Sequence, residues 1–144
     1  MKIKSLGHVV LRVTDRARAE QFYNGVLGIP ICARFDENGM KMAFFTLGNH
    51  HDFAVMQVAG GSRNESAAGL DHVAFNIGTS LDELREAKKK LEAAGITPNP
   101  VDHEVTKSLY FHDPDGNGVE LYVDASDAWR RDPQRVAQLR PLEL

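Results

Sequence analysis

The chain contains SLGHVVLRVTD at residues 5–15 and, aligned to it without gaps, GLDHVAFNIGT at residues 69–79. The alignment pairs His8 with His72, and the apolar positions around these histidines coincide as well. Each copy opens about half of the 144-residue chain. An internal repeat of this kind indicates two modules that share one order of helices and strands.

Both copies are followed by a helical pattern and then by extended segments. The first helix shows apolar residues at i, i+3, i+4 and i+7 and ends near Gly28. In the second, Ser80 and Glu83 have capping-box spacing, and Gly95 suits the position after the helix. The later strands include the turn DPDGNG at residues 113–118. Each half therefore reads as strand, helix and two or three strands, which is an α+β architecture.

These patterns assign the 144 residues to one domain with three parts. Module one covers residues 1–60, module two covers residues 66–125, and a tail covers residues 126–144. The polar stretch at residues 58–68 is interpreted as the linker between modules.

Composition excludes several classes of function. A net charge of -3 argues against a nucleic-acid partner, because phosphate neutralisation needs a basic face. The amino-terminal apolar stretch is too short for a signal peptide or a membrane span, so we expect no membrane partner and a cytoplasmic protein. The single Cys32 cannot form an intramolecular disulfide, and we expect it to be a small buried residue.

Strand alternation predicts where the polar residues of the repeated strands point. Val73, Phe75 and Ile77 form an apolar face, so His72 lies on the opposite face. His8 takes the same position in the first copy. In GVELYV at residues 118–123, the same alternation places Glu120 on the polar face.

Two imidazoles and one carboxylate form the facial triad of non-haem Fe(II) oxygenases, which leaves coordination positions open. His8, His72 and Glu120 fit this ligand set. The plain alternative is that each histidine is a hydrogen-bonded structural residue. A carboxylate in an apolar strand nevertheless carries a penalty of several kcal/mol unless a cation compensates it, which favours a metal.

These motifs resemble the vicinal oxygen chelate superfamily, and within it the one-domain extradiol ring-cleavage dioxygenases related to catechol 2,3-dioxygenase. The resemblance covers about residues 5–125. Its landmarks are GHVVLRVTD, FYNGVLG, NHHDFAV, GLDHVAFNI and SLYFHDPDGNGVELY. It implies two paired βαβββ modules that form an incomplete β-barrel around a metal site. It also implies Fe(II), or Mn(II) or another divalent metal, and meta cleavage of an aromatic diol with O₂ by a homo-oligomer.

The resemblance implies roles for further residues. The second histidine of the HH pair corresponds to His51, which is expected to act as acid/base catalyst because an imidazole titrates near neutral pH. Tyr110 is expected to hydrogen-bond a substrate oxygen. Four more residues are candidates for the substrate pocket: His50, Asn76, His103 and His112.

Two other functions stay open. One is a different metal-dependent reaction of the superfamily, such as that of a glyoxalase-like lyase or an epimerase. Against it, Ala54 aligns opposite Glu120, where glyoxalase-like members need a fourth ligand and alanine cannot supply one. The other is a metal-free module that binds a drug and confers resistance, against which the retention of His8, His72, Glu120 and His51 argues.

Overall fold

A computed structural model describes residues 2–61 and 67–144. Its contacts divide the chain into two compact units. The first unit comprises Met1–Ser66 with Asp113–Asn117, and the second comprises Ala67–His112 with Gly118–Leu144. Residues 62–66, in the predicted linker and at the start of module two, lie outside the described part.

The first unit contains a four-stranded sheet in the order β1-β4-β3-β2. β1 and β4 are parallel, whereas β4 with β3 and β3 with β2 are antiparallel. The strands are β1 Val9–Val13, β2 Ile31–Glu37, β3 Met40–Phe45 and β4 Phe53–Gln57.

One helical segment covers one face of this sheet. Helix α1 (Arg16–Glu20) begins at Asp15, whose carboxylate accepts the backbone N–H groups of Ala17 and Arg18, and a π-helical turn (Gln21–Val26) continues it. The helical segment places Tyr23 against Phe45 and Phe53, with ring centroids 5.9 Å and 4.6 Å away. The buried core of this face consists of Leu11, Val13, Ala19, Phe22, Tyr23, Ala43, Phe45, Phe53 and Val55.

The turn Asp113–Asn117 comes from the second repeat but belongs to the first unit. The buried carboxylate of Asp113 accepts a hydrogen bond of 2.8 Å from the hydroxyl of Tyr23. It also accepts the backbone N–H groups of Asp115 and Asn117 at 2.9 Å and 2.8 Å. Asp115 in turn accepts the backbone N–H of Thr14 at 3.0 Å. This turn is therefore held by buried polar contacts.

The second unit contains a five-stranded sheet in the order β5-β8-β7-β6-β9. β5 and β8 are parallel, and the remaining pairs are antiparallel. The strands are β5 His72–Gly78, β6 Asn99–Asp102, β7 Thr106–His112, β8 Gly118–Asp124 and β9 Arg140–Pro141. Two short 3₁₀ segments, Ala128–Arg130 and Pro133–Ala137, precede β9.

Helix α2 (Leu81–Ala93) packs on one face of the second sheet. The predicted capping box is present, because Ser80 accepts the Glu83 backbone N–H while the Glu83 side chain accepts the Ser80 backbone N–H. Gly95 follows the helix with φ 79°, a conformation that favours glycine. The core under α2 consists of Phe75, Leu84, Leu91, Leu109, Phe111, Val119, Leu121 and Val123.

The predicted α+β class and the repeat are confirmed. Strands β1 to β4 and β5 to β8 have the same order and the same parallel pair at one edge. Each sheet is open, so neither closes into a barrel on its own. No helix of residues 2–61 and 67–144 is long and apolar enough to cross a membrane.

The expectation for Cys32 is wrong, since this cysteine is exposed. It lies in β2, which is the edge strand of its sheet, and the pairing with β3 shifts register between Ile31 and Ala33. An irregularity at a sheet edge leaves the side chain in between without a covering neighbour.

Candidate metal and substrate site

The strongest cluster of chemically active side chains in the second unit centres on His72 and Glu120. Register pairs His72 with Gly118 and Ala74 with Glu120, so both side chains stand on the face opposite to α2. The His72 Nε2 and Glu120 Oε2 atoms are 3.0 Å apart. Glu120 is only 7% exposed. Two of the three predicted metal ligands therefore meet.

The other ring nitrogen of His72 explains how this pair can bind a cation. His72 Nδ1 lies 2.7 Å from Asp71 Oδ2, and a carboxylate there requires a hydrogen on Nδ1. In the neutral ring, Nε2 then presents a lone pair toward a Glu120 oxygen that is also a lone-pair donor. Two such atoms 3.0 Å apart need a proton or a metal ion between them. A carboxylate behind a histidine is also the usual support of a metal-binding imidazole.

The separation suits a shared metal ion. Ligand atoms about 2.1 Å from one ion and at right angles to each other lie about 3 Å apart. Within the described residues, no lysine or arginine nitrogen lies within 4.0 Å of the Glu120 carboxylate. The donor set and its spacing therefore fit a divalent metal.

Tyr110 lies directly beside this pair. Register places it opposite Glu120 on the neighbouring strand, and its ring stands edge-on to His72 with centroids 5.3 Å apart. Partial burial, and to a smaller extent the nearby Glu120 carboxylate, raise the pKa of the Tyr110 hydroxyl above its ordinary value. The hydroxyl therefore keeps its proton and can take part in hydrogen bonds as a neutral phenol.

His103 extends this cluster. Its Nε2 lies 2.9 Å from the Tyr110 hydroxyl, and its Nδ1 lies 2.7 Å from the backbone carbonyl of Gln138. His103 is thus joined to the predicted site through Tyr110. Sequence reasoning missed Asp71 and Gln138. The position of Asp71 directly before His72 could have indicated its contact with that histidine. The contact of Gln138 is made by its backbone carbonyl, which the sequence of the tail does not indicate.

Two recesses in the second unit adjoin the cluster. One, of about 380 Å³, is lined by His72, Tyr110 and the predicted pocket residue His112, among others. The other, of about 290 Å³, has Glu120 and the tail residue Trp129 in its lining. Glu120 and Tyr110 therefore each border space that a small molecule can enter.

Asn76 is engaged within its own unit. Its amide donates to the Asp124 carboxylate at 2.7 Å, and its side-chain oxygen accepts the Gly78 backbone N–H at 2.9 Å. These contacts account for an asparagine at this position without a substrate. Its proposed place in the substrate pocket stays a prediction.

In the first unit, the remaining predicted histidines form a second cluster. His8 and His51 have ring centroids 4.3 Å apart, and His50 lies 4.6 Å from His51. One ring nitrogen from each lies within 4.8 Å of the other two, so these three could also hold a metal. Reduced hydration lowers the pKa of His51, and the neighbouring His8 and His50 lower it further. Neutral imidazole, the form that accepts a proton or binds a metal, is therefore favoured at His51.

The repeat also defines the counterpart of Glu120 in the first sheet. Val10 pairs with Ala54 across β1 and β4, as Ala74 pairs with Glu120 across β5 and β8. Ala54 is fully buried and offers no ligand atom. The first module therefore has His8 but no carboxylate at the place equivalent to Glu120.

The chain belongs to the Glyoxalase/Bleomycin resistance protein/Dioxygenase superfamily, whose family model matches residues 5–121. The predicted resemblance to this superfamily is confirmed. The match covers β1 to β7 and the first part of β8, and it includes His8, His72 and Glu120.

Individual relatives differ in activity. The chain is 38% identical to biphenyl-2,3-diol 1,2-dioxygenase 3 of Rhodococcus globerulus over 123 residues, covering 83% of this chain and 63% of the relative. It is 30% identical to the catechol-2,3-dioxygenase of Bacillus subtilis, covering 88% of this chain and 44% of the relative. The chain thus spans less than two thirds of both dioxygenases.

A solved structure represents a different activity. A mutant of the fosfomycin resistance protein FosX of Listeria monocytogenes, in complex with Mn(II) and 1S,2S-dihydroxypropylphosphonic acid, matches with a TM-score of 0.68 and 26% identity. That match covers 90% of this chain and 98% of FosX. Relatives of this chain therefore include biphenyl-2,3-diol and catechol dioxygenases and a fosfomycin resistance protein.

Proposed function

We propose that this protein is an Fe(II)-dependent extradiol dioxygenase that cleaves a catechol-type ring in the meta position with O₂. The observation that carries the proposal is the pairing of His72 Nε2 with the buried Glu120 carboxylate at 3.0 Å, with Tyr110 opposite Glu120. The names of the dioxygenase relatives support the substrate class.

His72 and Glu120 would hold the metal, and His8 is proposed as the third ligand because the repeat makes it the equivalent of His72. Bound Fe(II) would supply Lewis acidity and open coordination positions for a diol and O₂. Mn(II) is an alternative ion, which the FosX complex supports for a related protein.

The protein's own side chains would manage protons. His51 is proposed to take a proton from a diol hydroxyl and to return it later, since the pKa of its imidazole is lowered and the neutral form is available. Tyr110 is proposed to hydrogen-bond a substrate oxygen from its place beside Glu120. His103 would support Tyr110, and His112 would line the recess that the substrate enters.

Ala54 supports the dioxygenase over a four-ligand metal enzyme, because a buried methyl group leaves a coordination position free. It does not separate the dioxygenase from a fosfomycin-modifying enzyme. That second candidate rests on the similarity to FosX and must be included in any assay.

A substrate panel tests the proposal. Protein purified without oxygen and loaded with Fe(II) is mixed with catechol, substituted catechols and 2,3-dihydroxybiphenyl, and O₂ is then admitted. We expect coloured ring-opened products and matching O₂ consumption from at least one diol. If the protein loaded with Mn(II) converts fosfomycin in the presence of a thiol or water, and no diol is converted, the second candidate is established instead.

The expectation of a cytoplasmic homo-oligomer also stays a prediction. Light scattering of the purified protein would give the oligomeric state, and fractionation of expressing cells would give the compartment.

A further inference from the structure

We propose that the tail segment Pro133–Pro141 is a positioning element that fixes the tautomer of His103 and thereby makes Tyr110 a hydrogen-bond acceptor toward substrate. The role of Tyr110 in this inference rests on the proposed function. The tautomer itself does not, because it follows from contacts inside the second unit.

The tail is attached to the loop around His103 at two points. Strand β9 pairs with β6, with Arg140 opposite Asp102 and Pro141 opposite Val101. Upstream of β9, the Arg135 guanidinium forms an ion pair with the Glu104 carboxylate. Gln138 lies between these two attachments.

The Gln138 backbone carbonyl therefore faces the His103 ring from a held segment. His103 Nδ1 lies 2.7 Å from this oxygen. A carbonyl oxygen can only accept, so Nδ1 must carry a hydrogen. In the neutral ring, Nε2 then has a lone pair and must be the acceptor of any hydrogen bond it makes.

The tautomer of His103 determines which hydrogen bond Tyr110 makes with it. Its hydroxyl oxygen lies 2.9 Å from His103 Nε2, and the phenol hydrogen is the donor this contact needs. The neighbouring Glu120 carboxylate is a second acceptor within hydrogen-bonding reach of the same hydroxyl. When the phenol hydrogen points at His103 instead, the phenol oxygen has only lone pairs left for other partners. Tyr110 would then accept a hydrogen bond from a substrate hydroxyl rather than donate one to a substrate oxygen.

Nitrogen-15 spectra of histidine-labelled protein test the tautomer directly. The His103 signals are assigned by their absence in His103→Gln, and spectra are taken at a pH where the ring is neutral. We expect a protonated Nδ1 and an unprotonated Nε2 in the full chain. If His103 of the full chain carries its hydrogen on Nε2, the inference is overturned.

Two shortened chains test the part played by the tail. One ends at Asp132 and lacks Gln138, and its matched control ends at Pro141 and keeps β9. We expect the control to retain the Nδ1-protonated ring and the shorter chain to become a mixture of tautomers. If the shorter chain folds and keeps the wild-type signals, the tail does not fix the tautomer.

Tyr110→Phe in the full chain separates the two partners of His103. We expect the Nδ1-protonated tautomer to persist, because the Gln138 carbonyl remains in place. Loss of the tautomer in this variant would assign its control to Tyr110 and would overturn the role of the tail.

A kinetic cycle tests the link to activity. Truncation at Asp132 and His103→Gln are each expected to lower kcat for the preferred diol about tenfold, the order expected for the loss of one hydrogen bond. The combined variant should be no slower than His103→Gln, because both changes act through one ring. If the decreases in kcat of the two single changes multiply in the combined variant, the tail and His103 do not act through one contact. If no diol is turned over, the proposed function fails while the nitrogen-15 result still decides the tautomer.

Discussion

The hydroxyl of Tyr23 and the carboxylate of Asp113 illustrate how single residues hold the first unit together. Both side chains are buried, and burial together with Asp113 raises the pKa of Tyr23 far above its ordinary value. The phenol therefore stays protonated and donates its hydrogen bond of 2.8 Å. Neither the tyrosine nor the DPDGNG turn indicated this partnership in the sequence, because the two lie 90 positions apart.

Tyr23→Phe is expected to lower the free energy of unfolding by about 1–3 kcal/mol. The change removes one hydrogen bond to a buried, charged oxygen, Asp113 Oδ2, which keeps the hydrogen bond from the Asn117 side chain. Urea unfolding followed by circular dichroism measures the loss. Tyr122→Phe is the matched control, on a half-buried tyrosine of β8, and is expected to cost less. Equal losses for the two variants would refute the role of the Asp113 contact.

His51→Ala is expected to lower kcat about 10²–10⁴-fold, which is the usual contribution of general acid/base catalysis. Metal content, measured by mass spectrometry, should stay at the wild-type level, because His51 is not in the proposed ligand set. A decrease in kcat of less than tenfold would show that His51 is not the acid/base catalyst. A proportional loss of metal would favour instead a metal site made by His8, His50 and His51.

At the scale of elements, the helix ends were predictable and the helix interior was not. Ser80, Glu83 and Gly95 gave correct signals because each end needs a local hydrogen-bond partner or a particular φ. The π-helical turn after α1 was not foreseen. Its Leu27 N–H bonds to the Phe22 carbonyl one residue further back than in an α-helix. Over six residues, the apolar pattern is the same for both kinds of helix.

Ser80→Ala is expected to lower the free energy of unfolding by about 1 kcal/mol, since the first turn of α2 loses its side-chain acceptor. Denaturant titration compares it with Ser80→Thr, which keeps a hydroxyl in the same place and should recover most of the stability. If Ser80→Thr is as unstable as Ser80→Ala, the loss does not come from the cap.

At the scale of the whole molecule, the repeat accounts for most of what the sequence could predict. Duplication predicted the same succession of strand, helix and strands in both halves. Alternation, which is a local property, predicted that His72 and Glu120 lie on the same face. The repeat could not predict the grouping of the turn Asp113–Asn117 with the first unit. It also could not predict the contact of Gln138 with His103, since a carbonyl carries no residue identity.

Metal binding should stabilise the folded protein by mass action. Free metal at 100 times its dissociation constant contributes about 2.7 kcal/mol if it binds only the folded state. For a chain of this length that raises Tm by about 10 °C, at roughly 4 °C per kcal/mol. Anaerobic thermal unfolding with and without Fe(II), repeated with Mn(II), measures the rise.

Glu120→Gln should abolish most of this rise, because the amide removes the negative ligand while keeping the shape of the side chain. Without metal, the same variant should be close to the wild-type protein in stability, since the glutamine amide can donate to the His72 Nε2 lone pair in place of the proton that this contact otherwise needs. Glu37→Gln, the same change at an exposed site in β2, should leave the metal-induced rise intact. A full rise in Glu120→Gln would place the stabilising ion elsewhere and remove the carboxylate from the proposed ligand set.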